Sequence, residues 1–150
     1  MYTKTITYTD YNGNERTEKF LFNLSKAEIL EMELSTTGGF TDKLQRIIDA
    51  QDVPTMTSIF KELILKSYGE KSDDGRRFIK SPEISKGFSE TEAYSNFYME
   101  LVTNTQAAID FINGVVPADV AAEAKKEAEK QKAIEESGLK VIDHVDVPTE

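Results

Sequence analysis

The sequence predicts an α+β protein: an N-terminal antiparallel β-hairpin, a small bundle of about five to six short helices, and a solvated helical or disordered C-terminal tail. Three observations support this class. Apolar side chains alternate at period two within residues 2–24, and they recur at helical spacing between residues 25 and 116. From residue 118 onward, Ala, Glu and Lys dominate, and Phe, Tyr and Met are absent.

The hairpin is predicted from two alternating segments and the turn between them. In residues 2–9, Tyr2, Ile6 and Tyr8 lie on one face of the predicted strand, and a row of threonines lies on the other face. Asn12-Gly13 then favours a tight turn, because both residues tolerate positive φ. The second strand places three large apolar residues on one face, namely Phe20, Phe22 and Leu24.

The first helix is predicted to begin at Ser25, which has the capping-box spacing with Glu28, and to end before Gly38-Gly39. Its predicted apolar face contains Ala27, Leu30 and Leu34. A second short helix is marked by three aliphatic residues, Leu44, Ile47 and Ile48.

Pro54 is at a first-turn position of a third helix, which Gly69 is predicted to end. Residues 70–77 are predicted to form a polar loop, and Ser81 begins a short helical turn that Gly87 closes. Ser89 with Glu92 repeats the capping-box spacing before the clearest amphipathic helix, and Asn104 or Thr103 is positioned to cap the next one.

We predict that the folded domain spans residues 1–117 and that residues 118–150 form a charged helix followed by a disordered acidic end. Charged pairs at i, i+3 favour the helix, but Val120 and Ile134 are the only large aliphatic residues between 118 and 138. We therefore expect this helix to project from the domain, and the disordered end to begin at Gly138.

Composition excludes several classes of function. The 150 residues carry a net charge of −9 without a basic stretch, which argues against nucleic acid as a ligand. The chain has no cysteine, and its single histidine, His144, lies near the C-terminus, so thiol chemistry and histidine catalysis have no candidates. With no apolar N-terminal segment and no run of 18 apolar residues, we expect a cytoplasmic protein that does not enter membranes.

No motif for catalysis, a cofactor or a metal ion is present, so we predict a non-enzymatic protein with none of these sites. Asp73-Asp74-Gly75 lacks the acidic spacing of an EF-hand, and no phosphate-binding glycine motif occurs. What remains is an interaction surface, to which Met56 and Met99 could contribute if exposed. The candidate protein-binding residues are aromatic: Phe60, Tyr68, Tyr94, Phe97, Tyr98 and Phe111.

Three segments of residues 76–117 form a recognisable pattern: Phe78-Ile79-Lys80-Ser81, residues 88–94 (Phe-Ser-Glu-Thr-Glu-Ala-Tyr) and residues 111–117 (Phe-Ile-Asn-Gly-Val-Val-Pro). With this pattern, residues 76–117 resemble the tail assembly chaperones of long-tailed bacteriophages that infect Gram-positive hosts. The hairpin and residues 23–28 extend it to about residues 1–117.

This resemblance implies a chaperone that binds the tape measure protein, keeps it soluble while the tail tube polymerises around it, and is absent from the mature virion. It also implies that a translational frameshift appends a domain that recruits the tail tube protein, with this chain as the unshifted product. Self-association is compatible with such a role.

Two alternatives stay open at the level of the sequence. A head–tail connector or tail completion protein would remain in the particle. A cytoplasmic enzyme with carboxylate chemistry would need buried acids that converge in a pocket.

Overall fold

Four strands and seven helices make up the described part of the structure, a computed structural model that gives the backbone of residues 1–146 and the side chains of residues 1–137. The strands are β1 (Tyr2–Thr9), β2 (Glu15–Phe22), β3 (Tyr68–Lys71) and β4 (Phe78–Ile79). The helices are α1 (Lys26–Ser35), α2 (Phe40–Ala50), α3 (Val53–Ser67), α4 (Pro82–Ser89), α5 (Glu92–Thr103), α6 (Thr105–Val115) and α7 (Ala118–Asp146). The predicted α+β class is confirmed.

The N-terminal hairpin forms as predicted, and the predicted apolar face points inward. β1 and β2 pair antiparallel from Tyr2 opposite Phe22 to Thr9 opposite Glu15. At the turn, the Asp10 carboxylate accepts hydrogen bonds from the backbone N–H groups of Asn12 and Asn14, and the donor–acceptor distance is 2.9 Å in both. The side chains of Ile6, Phe20, Phe22 and Leu24 are buried against the helices.

The sheet is larger than predicted, because residues 68–79 add two short strands to the hairpin. β3 pairs with the end of β2, and β4 pairs with β3. The sequence instead predicted that the third helix continues to Gly69 and that residues 70–77 form a loop. α3 therefore ends at Ser67 and not at Gly69. These strands have four and two residues, too few for an alternation that sequence patterns can detect.

α1 begins with the predicted Ser25–Glu28 capping box but buries a different face. Ile29 and Met32 face the core, whereas Leu34 is exposed and the predicted face was centred on Leu30. Glu33 lies on the same buried face, and its carboxylate accepts a hydrogen bond from the Thr41 N–H at the start of α2. A carboxylate is favourable there because the first N–H groups of a helix have no partners within it.

The starts of α5 and α6 test two further predictions. Ser89 is the last residue of α4, and the cap of α5 is Thr91, whose hydroxyl accepts from the Tyr94 N–H over 3.2 Å. The predicted capping box at Ser89 is therefore wrong by two residues. Asn104 caps α6, which confirms one of the two predicted alternatives.

α7 is helical as predicted, but its first turns do not project from the domain. Ala121, Ala124 and Ala128 are buried, and this stripe of small residues packs on α1. Alanine lets two helices approach closely. A helix face made of alanines is not recognised as apolar when only large aliphatic residues are counted. Residues 131–137 are exposed, the backbone continues as a helix to Asp146, and residues 147–150 of the predicted acidic end lie outside the described residues.

Among the helices that the structure describes, none combines the length and the hydropathy needed to cross a lipid bilayer.

Candidate protein-binding surface

Three of the six predicted binding residues form the centre of the core. Phe60, Phe97 and Phe111 are each exposed by 1% or less. Phe97 and Phe111 meet edge to face with 5.3 Å between their ring centroids, and Phe22 of the hairpin lies 5.2 Å from Phe97. Phe97 and Phe111 are buried where the apolar face of the hairpin covers the helices, whereas Phe60 is buried between α2, α3, α5 and α6. Among the six candidate residues, the partly accessible rings are therefore those of the three tyrosines.

The three tyrosines, in contrast, are half-buried and joined by a ladder of aromatic contacts. Tyr68, the first residue of β3, stacks on Phe88 of α4 with 4.2 Å between the ring centroids. Phe88 meets Tyr94 edge to face at 5.7 Å, and Tyr94 lies 5.9 Å from Tyr98 on α5. The ladder thus runs from the edge of the sheet across α4 to the outer side of α5.

A groove of about 620 Å³ opens between α3, α4 and α5, at the end of the ladder formed by Tyr94 and Tyr98. The Ser85 hydroxyl ties α4 to α3 by donating to the Leu65 carbonyl over 2.7 Å. The lining side chains combine apolar surface with two ammonium groups and no carboxylate, and they are Lys61, Leu65, Pro82, Ser85, Lys86, Ser89, Tyr94 and Tyr98.

The hydroxyl groups of Tyr68 and Tyr94 remain protonated well beyond neutral pH. Burial raises the pKa of Tyr94, and the neighbouring Tyr98 contributes further. Burial likewise raises the pKa of Tyr68, with smaller contributions from the Glu70 and Glu18 carboxylates. Tyr68 and Tyr94 therefore present neutral phenol groups, each with an apolar ring and one hydrogen-bonding tip, a combination that is enriched at protein interfaces.

Comparison with known protein families yields a match that covers nearly the whole sequence. The sequence profile described as phage tail assembly chaperone matches residues 1–149. The chain belongs to the phage tail assembly chaperone family. The match includes most of the C-terminal segment as well as residues 1–117, which carry the resemblance. Neither the curated proteins nor the solved structures contain a significant match to this chaperone.

The sequence pattern locates only part of the chaperone's groove. Tyr94 and Tyr98 are recognisable from their spacing of four on an amphipathic helix. Lys61 and Lys86 are missed because α3 and α4 are far apart in sequence, and only the packing of α4 on α3 brings them to one opening. Of the two methionines considered, Met99 is exposed and Met56 is half-buried.

Within the part of the chain that the structure describes, no three His, Cys, Asp or Glu side chains come together in a group that could hold a metal ion.

Proposed function

We propose that this protein binds the tape measure protein, keeps it soluble and assists polymerisation of the tail tube around it. The observation that supports this most directly is the tyrosine-lined groove between α3, α4 and α5 in a member of a tail assembly chaperone family. Long helical clients expose apolar stripes that aggregate before they are enclosed. An amphipathic helix that lays its apolar face in a groove is protected from such contacts.

The groove suits a weak, repeated interaction. The rings of Tyr94 and Tyr98 are half-buried because they already pack on the domain. A client helix would therefore cover only the part of each ring that remains exposed. Lys61 and Lys86 are available to carboxylates at the edge of a client helix. Several copies on one long client gain from effective concentration, and each can still leave as the tube advances.

Co-expression with the tape measure protein tests this proposal. We expect the soluble fraction of the client to rise with the wild-type chain and to fall again with Tyr98→Ala or with Lys86→Glu. The matched control is Tyr11→Ala, since Tyr11 is 76% exposed at the hairpin turn and does not line the groove. If the client precipitates equally with and without the chaperone, the proposal is wrong.

We further propose that the protein is not an enzyme, acts in the host cytoplasm and does not remain in the virion. Mass spectrometry of purified particles tests the last point, and abundant peptides from this chain would favour the head–tail connector or completion role instead.

We also propose that a frameshifted longer form recruits the tail tube protein. Western blots of infected cells with an antibody to residues 1–117 would show that form as a second, larger band.

A further inference from the structure

The second half of α7 extends beyond the contact with α1 and carries an apolar stripe. Residues 131–137 are exposed, Ile134 by 64%, and the backbone stays helical to Asp146. An α-helix turns by about 100° per residue, so four of the five aliphatic residues between 134 and 146 fall within about 100° on one side, and Leu139 is the exception. The four residues of the stripe are Ile134, Val141, Ile142 and Val145.

Negative charge accompanies this stripe. Residues 134–146 carry four carboxylates and one lysine, with the single histidine neutral. At helical spacing, Glu135 and Asp146 border the stripe next to Ile142, whereas Lys140 lies on the far side of the helix. The stretch is therefore an acidic amphipathic helix, the kind of element that lays its apolar face in a groove.

The groove between α3, α4 and α5 offers a matching surface. Tyr94 and Tyr98 present half-buried rings there. Among the residues that the structure describes, the groove lining has two ammonium groups, those of Lys61 and Lys86, and no carboxylate. The acids that directly follow a lining residue in the sequence are exposed and do not line the groove, and they are Glu62, Glu83 and Glu90.

The lengths of the two surfaces also agree. The α4 wall of the groove runs from Pro82 to Ser89, about 10 Å along the helix axis. The part of the stripe from Gly138 to Val145 spans the same number of residues. Gly138 falls in the middle of the stripe, where the lack of a side chain leaves room for a tyrosine ring.

The stripe of one molecule meets the groove of another molecule and not its own. α7 is a continuous helix, which cannot reverse its direction, and its first turns pack on α1. Of the α7 side chains that the structure describes, none lines the groove, and α1 contributes none either. Pairing of two stripes with each other is unfavourable, because it would bring four carboxylates from each copy together.

We infer that the end of α7, residues 134–146, docks in the tyrosine-lined groove of a second copy of this chain. The two surfaces are different, so the contact is heterologous and each copy can bind one neighbour through its tail and another through its groove. This inference goes beyond the proposed function and requires no client. The tail and the tape measure protein would compete for one groove, and that consequence alone rests on the proposed function.

Sedimentation equilibrium of the full chain tests the inference first. At about 0.15 M salt, long-range repulsion between two copies of net charge −9 is largely screened, whereas a docked contact is screened less. Between about 10 μM and 1 mM protein, we expect the mean mass to rise with concentration above the 16.9 kDa of one chain. A mass that stays at 16.9 kDa over this range overturns the inference.

Single substitutions then test each surface. Ile134→Asp in the stripe and Lys86→Glu in the groove are both expected to weaken association about tenfold or more. Ala133→Asp and Lys66→Glu are the matched controls, since they make the same charge changes at exposed positions outside the stripe and outside the groove. The inference is wrong if the controls weaken association equally. It is also wrong if the stripe variant acts and the groove variant does not, because the stripes would then pair with each other.

A mixing experiment tests the tail-to-groove geometry. A chain with Lys86→Glu and Tyr98→Ala keeps its tail, and a chain with Ile134→Asp and Val141→Asp keeps its groove. Each variant alone should be monomeric, whereas an equimolar mixture should form heterodimers of twice the monomer mass and nothing larger, because only one intact tail and one intact groove remain per pair. A mixture that stays monomeric contradicts the inference.

Failure here is distinguishable from failure of the proposed function, because these measurements use the purified chain without a client. If the wild-type chain keeps the tape measure protein soluble but does not associate with itself, the tail inference is wrong and the chaperone proposal stands. If it associates through tail and groove but leaves the client insoluble, the chaperone proposal falls and the tail contact remains.

Discussion

The ammonium group of Lys80 lies 2.6 Å from both carboxylate oxygens of Glu28, 52 residues earlier in the chain. Glu28 also accepts a hydrogen bond from the Ser25 N–H, so one carboxylate completes the cap of α1 and holds the segment that leads into α4. Lys80 donates in addition to the Asn23 carbonyl over 3.0 Å. The groove wall formed by α4 is thereby fixed to the end of the hairpin.

Replacing Glu28 by Gln should lower the free energy of unfolding by about 1 kcal/mol at pH 7, because the ion pair is lost and the cap is weakened. Burial opposes ionisation of Glu28, but hydrogen bonds from Lys80 and Ser25 outweigh it and hold its pKa below the ordinary 4.5. The contribution is therefore complete above pH 4.5 and decreases as the pH falls through the folded-state pKa. Urea unfolding at several pH values should show the variant and wild type converging in acid. Glu31→Gln, an exposed change on the same helix, is the control, and an equal loss in both variants would contradict the prediction.

Gly69→Ala should destabilise the protein by about 2 kcal/mol and loosen β4. A Cβ at this position would lie 2.8 Å from the Ile79 carbonyl oxygen and 2.6 Å from the Phe78 ring, and the backbone oxygen has little room to move. Gly87→Ala is the matched control, since no atom lies within 4 Å of its added Cβ and the position is helical. That variant should gain about 0.5 to 1 kcal/mol. Thermal unfolding of both variants gives the comparison, and a loss of stability in Gly87→Ala of the same size would refute the steric explanation.

Gln51→Gly should stabilise the protein by about 0.5 to 1 kcal/mol. Among the described residues, Gln51 is the one non-glycine residue with positive φ, at +52°, where it ends α2 in the left-handed conformation. Glycine removes the steric cost of that conformation but loses more entropy on folding, so only part of the gain remains. Gln45→Gly in the middle of α2 should instead destabilise by about 1 kcal/mol. Chemical denaturation measures both changes, and destabilisation by Gln51→Gly would contradict the prediction.

Ala124→Glu should detach α7 from α1. Ala124 is buried in the small-residue contact, so a carboxylate there would be desolvated without a partner unless the helix moves away. Hydrogen exchange should quicken at residues 120–130 and at the face of α1 beneath them, and the loss of stability should be about 1 to 2 kcal/mol, limited by the energy of docking. Ala122→Glu places the same charge on the exposed side of the same helix and should leave exchange unchanged. Equal protection in the two variants would show that the contact with α1 contributes nothing.

The six predicted binding residues show how far a sequence pattern can locate the candidate surface. Six aromatic residues had the spacing of an apolar helix face, and that spacing is the same for a core residue and for a surface residue. Phe97 and Tyr98 are neighbours on α5, yet one is sealed beneath the hairpin and the other lines the groove. Burial depends on what packs against each side of the helix, and that information is distributed along the whole chain.

Local chemistry in the sequence was sufficient to determine the hairpin, its turn and inward face, the cap at Ser25, and the helical character of residues 118–137, because each depends on residues a few positions apart. It narrowed the cap of α6 to Thr103 or Asn104, and the structure has Asn104. Only the tertiary structure decided the added strands β3 and β4, the buried face of α1, the docking of α7 and the assembly of the groove. These features arise from contacts between distant segments, such as Leu21 with Gly69 and Glu28 with Lys80, whose free energy exists only once the chain has folded.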